Sequence, residues 1–363
     1  MMNKELEKIN SFYNGKKVLI TGHTGFKGTW LTKILADAGA IITGYSLEPN
    51  PVGNLYTLLD IDNRINSVIG DVRDFNKLRN TFETFNPQIV FHLAAQPLVL
   101  ESYNNPHYTY ETNIIGTLNI LECIRLQPSV KSFINVTTDK VYKNTGWVWG
   151  YREIDELDGF DPYSNSKSCS ELVTGSYARS FFENRALSIS TVRAGNVIGG
   201  GDFAQNRIIP DCIKSTLLNQ SIVVRNPNSI RPYQHVMEPL SAYLLLALKQ
   251  YDNKKYEGKY NVGPNEDDCL TTGELVAIFC KSWGDSSNWC TNSKDTFQHE
   301  ANYLKLDSSK IKKELQWFPR WNINQAIDNT VKLTKVIINQ GDINKEIENQ
   351  IYNYYMSGTG HAD

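Results

Sequence analysis

The glycine-rich segment at residues 18–30, VLITGHTGFKGTW, constrains the fold more than any other stretch of the chain. Its first four residues are apolar or β-branched and predict a buried strand. A glycine turn and a helix follow, which together form a phosphate-binding unit. Gly22 permits the tight turn, Gly25 lets the backbone approach a pyrophosphate, and Gly28 lets the helix pack closely on the strand. The segment predicts a dinucleotide site, and we include Thr24 and Phe26 of the same turn in it.

Composition and charge narrow the possible partners. The 363 residues carry a formal net charge of −2 and no long basic run, which argues against nucleic acid and anionic membranes as partners. The N-terminal sequence is polar and charged and lacks the apolar core of a signal peptide. No uncharged apolar run approaches the ~18 residues that a membrane span requires. We therefore expect a cytoplasmic protein.

Cysteines and histidines are scattered along the chain. The six cysteines include no CxxC pair, which argues against a disulfide framework and a zinc site. The histidines show no ligand spacing such as HxxxH, so we predict no metal. They lie at positions 23, 92, 107, 235, 299 and 361.

Short strand-like segments alternate with helices of ten or more residues between residues 17 and 195. This alternation predicts an α/β fold, a Rossmann-type doubly wound parallel sheet. Beyond residue 195 the alternation weakens, which indicates a smaller substrate-binding domain. We expect residues 1–195 with about 236–264 in the NAD-binding domain, and residues 196–235 and 265–355 in the smaller one. The expected strands cover residues 18–21, 40–46, 67–70, 89–95, 133–136 and 187–193, with 260–263 completing the sheet.

The second strand ends at Ser46, where NAD-binding folds usually place an acidic residue on the adenosine ribose. Glu48 follows two residues later, and no arginine or lysine follows in EPNPVGN to hold a 2′-phosphate. We therefore expect NAD as the cofactor. An aspartate of the DVRD segment is expected either near the adenine or as a helix cap, which places Asp71 and Val72 in the candidate cofactor site. The end of the fourth strand adds Leu93, Ala94 and Ala95, because small side chains leave room for the cofactor.

One tyrosine–lysine pair combines with a strand end to suggest catalysis. The pattern YxxxK occurs three times, but only Tyr163 and Lys167 lie on a predicted helix that follows the strand carrying Thr138. The spacing i, i+4 puts both side chains on one helix face. A nearby ammonium favours the phenolate, so we expect Lys167 to lower the pKa of Tyr163. Tyr163 then serves as an acid–base group, and Thr138 hydrogen-bonds the same substrate oxygen.

These residues, together with TGxxGxxG, HLAA, NxxGT and AGNVIGGGD, make the chain resemble the extended short-chain dehydrogenases that act on nucleotide sugars. The resemblance covers nearly the whole chain. It implies bound NAD, a Rossmann domain, a smaller C-terminal domain and a nucleotide-sugar substrate. In that superfamily an acid beside the catalytic Ser or Thr is typical of 4,6-dehydratases, and Asp139 stands there. The implied reaction is internal redox: C4 oxidation, loss of water across C5 and C6 with Asp139 as the acid, and hydride return to C6.

Lys140 departs from the pattern of the dTDP-glucose and GDP-mannose dehydratases, which have glutamate there as the presumed C5 base. A lysine would need its pKa lowered by about 3 pH units, or ~4 kcal/mol, to act as a base at neutral pH. Burial beside Lys167 is a way to achieve this. The segments GHTGFKGTWL and TTDKVY together resemble the branch of these dehydratases that acts on CDP-glucose. An inverting UDP-N-acetylglucosamine dehydratase also carries a TDK triplet, so the triplet alone does not decide the substrate.

The candidate substrate residues lie mainly in the second half of the chain. Arg207 and Arg231 are expected on the diphosphate, because a guanidinium binds phosphate oxygens bidentately. The resemblance puts Asn196 on the diphosphate side and Gln96 near the sugar. His235 either lines the nucleotide pocket or packs in the core.

The resemblance also implies a homodimer, in which helices near residues 106–125 and 162–182 pair in a four-helix bundle. Two other functions remain open at this point. A nucleotide-sugar 4-epimerase shares most of the motifs but usually lacks an acid at position 139. A non-catalytic NAD-binding regulator typically loses the tyrosine or the lysine, both of which this chain has.

Overall fold

The computed structural model describes residues 4–51, 53–284, 287–291 and 303–358. The strands among these residues are β1 (Lys17–Thr21), β2 (Ile41–Ser46), β3 (Asn66–Ile69), β4 (Ile89–His92), β5 (Ser132–Val136), β6 (Ser188–Ala194), β7 (Val197–Ile198), β8 (Ile222–Val224), β9 (Ile230–Arg231), β10 (Gln234–His235), β11 (Gly258–Val262), β12 (Leu270–Thr271) and β13 (Trp289–Thr291).

The α-helices of the described residues are α1 (Lys4–Tyr13), α2 (Phe26–Asp37), α3 (Leu55–Leu58), α4 (Phe75–Phe85), α5 (Val99–Asn104), α6 (Pro106–Tyr110), α7 (Gly116–Leu126), α8 (Pro162–Phe181), α9 (Ile208–Leu217), α10 (Met237–Tyr251), α11 (Thr272–Trp283), α12 (Ser309–Leu315), α13 (Ile323–Ile338) and α14 (Ile343–Met356). Short 3-10 turns cover Ile61–Arg64, Asp139–Val141, Lys254–Tyr256 and Glu266–Asp268.

Seven strands form one parallel sheet in the order β11-β6-β5-β4-β1-β2-β3. The strand order reverses between β1 and β4, and ligands of doubly wound sheets bind at such a switch point, outside the carboxyl ends of the strands. The Rossmann-type fold is confirmed, and β11 completes the sheet as predicted. The strand expected over residues 89–95 ends at His92, because the backbone of the next two residues turns toward β1: Leu93 N donates to Thr21 O and Ala94 N to Thr21 Oγ1.

Alternate residues of the central strands face two hydrophobic cores, one on each side of the sheet. Val18 and Ile20 of β1 pack in a core that includes Trp30 of α2 and much of α10. Leu19, between them, packs in the opposite core with residues of α4 and α7. Helices therefore cover both faces of the sheet, as the continuous apolar strands predict.

A third core lies outside the sheet and joins α9, α11 and α13 with β8, through residues such as Cys212, Phe279 and Val331. Trp317 and Tyr354 instead pack with the core of the sheet that contains α10. Segments from the C-terminal third thus contribute to both regions. The division at residues 196–235 and 265–355 remains a prediction.

The helix predicted over residues 106–125 is present, but a wide π-type turn at Glu111–Ile115 joins its two parts, α6 and α7. Asn113 lies in this turn and is buried. Its Oδ1 accepts from Gln96 N at 2.9 Å and its Nδ2 donates to Ser166 Oγ at 2.9 Å. The turn thereby connects the end of β4 with α8.

No helix among the described residues is long and apolar enough to cross a membrane. The same part of the chain contains no group of three or more His, Cys, Asp or Glu side chains arranged to hold a metal ion. His299 and His361 lie outside the described residues. The expected absence of a metal remains a prediction.

Candidate active site

A cavity of about 1380 Å³ opens at the carboxyl edge of the sheet, beyond the ends of β5 and β6. Thr138, Asp139, Lys140 and Tyr163 all line it. The cavity therefore brings together four of the five catalytic candidates, whereas Lys167 is buried and is not among the residues that line it.

Thr138 and Asp139 are fixed by the short 3-10 turn that follows β5. The hydroxyl of Thr138 caps this turn by accepting from Lys140 N at 3.4 Å, and it donates to Asp139 Oδ1 at 3.0 Å. Asp139 is 1% exposed, and its Oδ2 has no hydrogen-bond partner among the described residues. A buried carboxylate oxygen without a partner is costly, so this atom is suited to a polar group of a ligand. Lys140 is half-buried in the same wall.

The helix α8 presents the tyrosine and the lysine. Asp161 caps it, because Oδ1 accepts from Ser164 N at 2.9 Å, and Pro162 occupies the first turn as predicted. Tyr163 is 9% exposed and Lys167 is 4% exposed. The ammonium of Lys167 donates to Val136 O at 3.1 Å, at the end of β5.

The pKa values of Tyr163 and Lys167 differ from those that the sequence predicts. Burial raises the pKa of Tyr163 to about 12, against the opposing effects of a hydrogen bond with Thr138 and the charge of Arg207. Lys167 does not contribute to that shift, because its ammonium is directed at the carbonyl of Val136. The prediction that Lys167 lowers the pKa of Tyr163 is therefore wrong for the protein alone. Burial, with the positive charge of Lys27, lowers the pKa of Lys167 itself to about 7.

A fully buried ion pair beneath the site was missed by the sequence analysis. Glu171 and Arg193 are 0% exposed and joined by hydrogen bonds of 2.9 Å from both Nε and Nη2. Glu171 also accepts from Thr137 and Thr191, each at 2.6 Å. Burial alone raises the pKa of Glu171, but the guanidinium and these donors hold it below its usual value. The pair ties α8 to β5 and β6, the elements that carry the catalytic candidates. No local signal in the sequence indicates this pairing.

Lys27 is a third residue that the motifs did not single out. It lies in the glycine segment and lines the cavity. Burial, with the charge of Arg207, lowers its pKa to about 8, although Asp139 and Asp202 act in the opposite direction. A charged side chain where an NAD-binding helix usually carries an apolar residue was the signal in the sequence.

The glycine turn fits the cofactor that the sequence predicts. Gly22 has φ +76°, a conformation that favours glycine, and a Cβ at Gly28 would lie 2.0 Å from Gly22 O. At Gly25 a Cβ would meet only Gly22 O at 3.4 Å, so the space above this residue is open. Gly25 precedes the first turn of α2 and has no side chain to cap its amides. The backbone conformation at Gly22 and the close packing at Gly28 therefore require glycine in the protein alone. At Gly25 the reason for glycine is the approach of a pyrophosphate.

Other cofactor candidates surround this turn. Ser46 Oγ and Thr24 Oγ1 are hydrogen-bonded at 2.8 Å, which ties the end of β2 to the glycine turn. Asp71 is bound by the guanidinium of Arg73 and does not cap α4, because Asp74 accepts from Lys77 N and is the cap. The remaining candidates lie near these elements: Val72 contacts the position of Gly116, Phe26 lines the cavity, and Leu93, Ala94 and Ala95 are half-buried after β4.

The substrate candidates divide into two groups. Asn196, Arg207 and Arg231 line the cavity, and Arg207 Nη1 is 2.9 Å from Asp202 Oδ2. Gln96 and His235 are not in its wall. The expectation that Gln96 contacts the sugar needs correction, whereas of the two alternatives for His235 the structure has the packing one.

Local hydrogen bonds hold the side chain of Gln96 away from the cavity, and packing does so for His235. The side-chain amide of Gln96 is engaged by the loop that follows β4, since Nε2 donates to Leu98 O and Thr109 Oγ1 while Oε1 accepts from Leu98 N. His235 is 0% exposed and packs edge-on against Trp30 and Trp321.

Comparisons with known proteins identify the family. The model of the GDP-mannose 4,6 dehydratase family matches residues 19–330. The chain is 45% identical, over 96% of its length and 98% of the relative's, to the CDP-glucose 4,6-dehydratase of Salmonella typhimurium strain LT2. It is 26% identical to the CDP-paratose 2-epimerase of Salmonella typhi, covering 88% of this chain and 100% of that one.

Among solved structures, the dTDP-glucose 4,6-dehydratase of Streptomyces venezuelae, with NAD bound, superimposes with a TM-score of 0.76 at 23% identity, covering 90% of this chain and 99% of that chain. This likeness concerns the fold. With the family match over most of the chain and a full-length dehydratase relative at 45% identity, the chain belongs to the GDP-mannose 4,6-dehydratase family, within the extended short-chain dehydrogenases.

Proposed function

We propose that this protein dehydrates CDP-D-glucose to CDP-4-dehydro-6-deoxy-D-glucose, with NAD as a cofactor that is restored in each turnover. The observation that carries the proposal is the unpartnered Oδ2 of Asp139, which lies in one cavity wall with Thr138 and Tyr163. An acid beside the hydroxyl and the phenol supplies what a 4-epimerase does not need, the proton for a departing hydroxyl. The full-length relative that acts on CDP-glucose supports the choice of nucleotide.

The cofactor is held by the glycine turn and the strand ends around it. The open face of Gly25 and the first-turn amides of α2 bind the pyrophosphate, and Thr24 and Ser46 lie on the adenosine side. Ala94 and Ala95 leave room above β4. When bound, NAD would supply the hydride acceptor for C4 of the hexose and the hydride donor for C6. The NAD in structures of relatives with the same fold supports this assignment.

The first step is proton transfer at C4. Tyr163 takes the proton of the C4 hydroxyl as the C–H bond at C4 is broken, and Thr138 donates a hydrogen bond to the same oxygen. The burial that raises the pKa of Tyr163 excludes water from this transfer. In the protein alone the ammonium of Lys167 donates to Val136 O; in the proposed step it turns to the phenolate that forms at Tyr163 and stabilises it. The resulting 4-keto group acidifies the proton on C5.

Elimination follows at C5 and C6. Lys140, which lines the same wall, removes the C5 proton, and Asp139 protonates the C6 hydroxyl as it leaves. The C6 hydroxyl and the proton from Asp139 leave together as one water molecule, and Lys140 holds the C5 proton. After hydride returns to C6, Lys140 gives this proton back to C5. The proton that Tyr163 took from the C4 hydroxyl passes through solvent to Asp139, so that all three groups are restored. The net change is the loss of one water from the substrate.

The diphosphate binds at the other side of the cavity. Arg207 and Arg231 both line it and supply guanidinium groups for the phosphate oxygens, with Asn196 beside them. The carboxylate of Asp202, 2.9 Å from Arg207, holds that guanidinium in the wall.

We also propose a homodimer formed through α7 and α8, in the cytoplasm. Ile115, in the turn before α7, is 44% exposed, and Leu172 and Phe181 of α8 are 58% and 51% exposed, which is unusual for large apolar side chains grouped on one surface. Analytical ultracentrifugation of the wild-type protein tests the dimer. A sedimentation coefficient that matches the single chain at all concentrations contradicts it.

The activity is tested by incubating the purified protein and NAD separately with CDP-glucose, dTDP-glucose, UDP-glucose and GDP-mannose. We expect loss of one water from CDP-glucose by mass spectrometry, with the alkaline absorbance typical of a 4-keto-6-deoxy sugar. Unchanged mass with a new C4 epimer identifies an epimerase. Bound NAD with every sugar returned unchanged favours the regulator.

A further inference from the structure

One end of the cavity contains a pair of opposite charges that the proposed mechanism does not use. Asp211 of α9 and Arg225, directly after β8, line the main cavity and also an adjoining cavity of about 410 Å³. Asn206 and Val223 are likewise common to both. Among the described residues that line the smaller cavity, none belongs to the catalytic candidates. These four shared residues therefore mark the junction of the two cavities, away from the reacting atoms.

The position of Asp211 along α9 relates it to the diphosphate. Its backbone amide donates to Arg207 O at 2.9 Å, so the two residues are one helical turn apart, about 6 Å along the axis. In a nucleotide sugar the hexose and the base lie on opposite sides of the diphosphate. With the hexose at Tyr163 and the phosphates at Arg207, the base lies beyond Arg207, and Asp211 is a charged residue one turn from Arg207 that lines both cavities.

The carboxyl group of Asp211 has oxygen lone pairs to spare. Burial raises its pKa above the usual value, and a hydrogen bond from the backbone amide of Asn206 and the positive charges of Arg225 and Lys214 offset only part of this rise. An ionised carboxylate has about four acceptor positions, and it donates none. One backbone donor leaves most of this capacity for a ligand.

The pyrimidine bases differ at the edge that such a carboxylate reads. Cytosine presents an amino donor at C4, whereas thymine and uracil present a carbonyl acceptor there. Aspartate facing the cytosine amine forms a hydrogen bond. Facing a carbonyl at the same position, it would set two acceptors against each other, which a buried site penalises.

We propose that Asp211 selects the cytosine base by accepting a hydrogen bond from its C4 amino group, while Arg225 contacts the same base from β8. The inference rests on the proposed dehydration of CDP-glucose and names the residue that chooses among nucleotides. It assigns the junction of the two cavities as the nucleobase site.

The test compares kcat/KM for CDP-glucose and UDP-glucose in the wild type and in Asp211→Ala. We expect kcat/KM of the variant to fall about 10- to 100-fold with CDP-glucose and to stay the same or rise with UDP-glucose. The ratio of kcat/KM for CDP-glucose to that for UDP-glucose therefore decreases. Gln220→Ala is the matched control, because Gln220 is exposed, lines only the smaller cavity and should leave the ratio unchanged. A structural role for Asp211 would lower both activities together, and an unchanged ratio overturns the proposal.

A second variant and a second measurement keep the outcome interpretable. Asp211→Asn retains the size of the side chain and adds a donor for a C4 carbonyl, so it should bind UDP better than the wild type does. Calorimetric titration with CDP and UDP measures this without turnover. If the wild type dehydrates no sugar nucleotide yet prefers CDP through Asp211, the proposed reaction fails and the base site stands. If it dehydrates CDP-glucose while both variants keep the wild-type preference, only the base site fails.

Discussion

The two ends of the active-site cavity are built from different kinds of structure. The catalytic end is held by the central strands β5 and β6 and by the 20-residue helix α8, with the fully buried ion pair of Glu171 and Arg193 beneath it. The nucleotide end is formed by strands of two or three residues, β8 and β9, and by the loops around α9. Regular elements that share a core keep the reacting groups in register. Loops and short strands tolerate substitution. We therefore expect substitutions at the catalytic end to abolish the reaction and substitutions at the nucleotide end to change which nucleotide sugar is accepted.

The largest effect that tests this contrast between the two ends of the cavity is expected at Tyr163. Replacing it with phenylalanine removes the acid–base group, and we expect kcat to fall by about 10²- to 10⁴-fold with every nucleotide sugar. The rate is followed by the alkaline absorbance of the 4-keto product. Tyr103→Phe is the control, because Tyr103 also lines the cavity but has no role in the proposed mechanism. A Tyr163→Phe variant within tenfold of the wild type would remove Tyr163 from the mechanism.

The rigidity of the catalytic end is tested by Glu171→Gln. This change leaves the guanidinium of Arg193 buried without its charge partner, and we expect the free energy of unfolding to fall by about 3–5 kcal/mol. Urea denaturation followed by circular dichroism measures the loss. The exposed pair Arg79 and Glu83 is the control, and Glu83→Gln should cost less than about 1 kcal/mol. Equal losses of unfolding free energy in Glu171→Gln and Glu83→Gln would contradict a special role of the buried ion pair in the rigidity of the catalytic end.

A substitution at Lys140 distinguishes C4 oxidation from the elimination step that follows it. If it is the C5 base, Lys140→Met leaves C4 oxidation intact and slows elimination by about 10²-fold. Rapid mixing then shows reduced nicotinamide accumulating before the 4-keto-6-deoxy product. Lys143→Met is the control, since Lys143 lines the same cavity but pairs with Glu156 at 3.1 Å. Equal loss of both steps in Lys140→Met indicates that the lysine binds substrate.

The smallest effect is expected from Lys27, whose charge lowers the pKa of Lys167. The proposed mechanism needs Lys167 protonated, so kcat/KM declines as pH rises through that pKa. In Lys27→Met the like charge is gone, the pKa of Lys167 rises, and the decline moves to higher pH by less than about one pH unit. A full pH profile of kcat/KM measures the displacement, with Lys131→Met as the control. A decline that stays in place, or moves to lower pH, contradicts the proposed coupling.

Motifs with a local mechanism were predictable from the sequence. The glycine turn, the Asp161 cap and the i, i+4 spacing of Tyr163 and Lys167 each depend on neighbouring residues, and the structure has all three. The alternation of strands and helices likewise predicted the parallel sheet.

Features that depend on distant contacts were not predictable in the same way. The partner of Glu171 lies 22 residues away in another strand, and nothing local to either residue indicates the pairing. The ammonium of Lys167 turns to the end of β5, a direction that no helix pattern specifies. Gln96 was assigned to the sugar through the resemblance alone, but the loop after β4 binds its side chain. The sequence left two alternatives for His235, and only the contacts with Trp30 and Trp321 decide for packing.

The wide turn at Glu111–Ile115 also limits how this chain can change in evolution or by design. Each residue added to a helix rotates everything after it by about 100°. A single deletion here would convert the turn to a regular helix and swing α7 by that angle relative to α6. Asn119, which donates to Val72 O at 2.9 Å, would then point elsewhere. The number of residues in this segment is therefore under as much constraint as their identity.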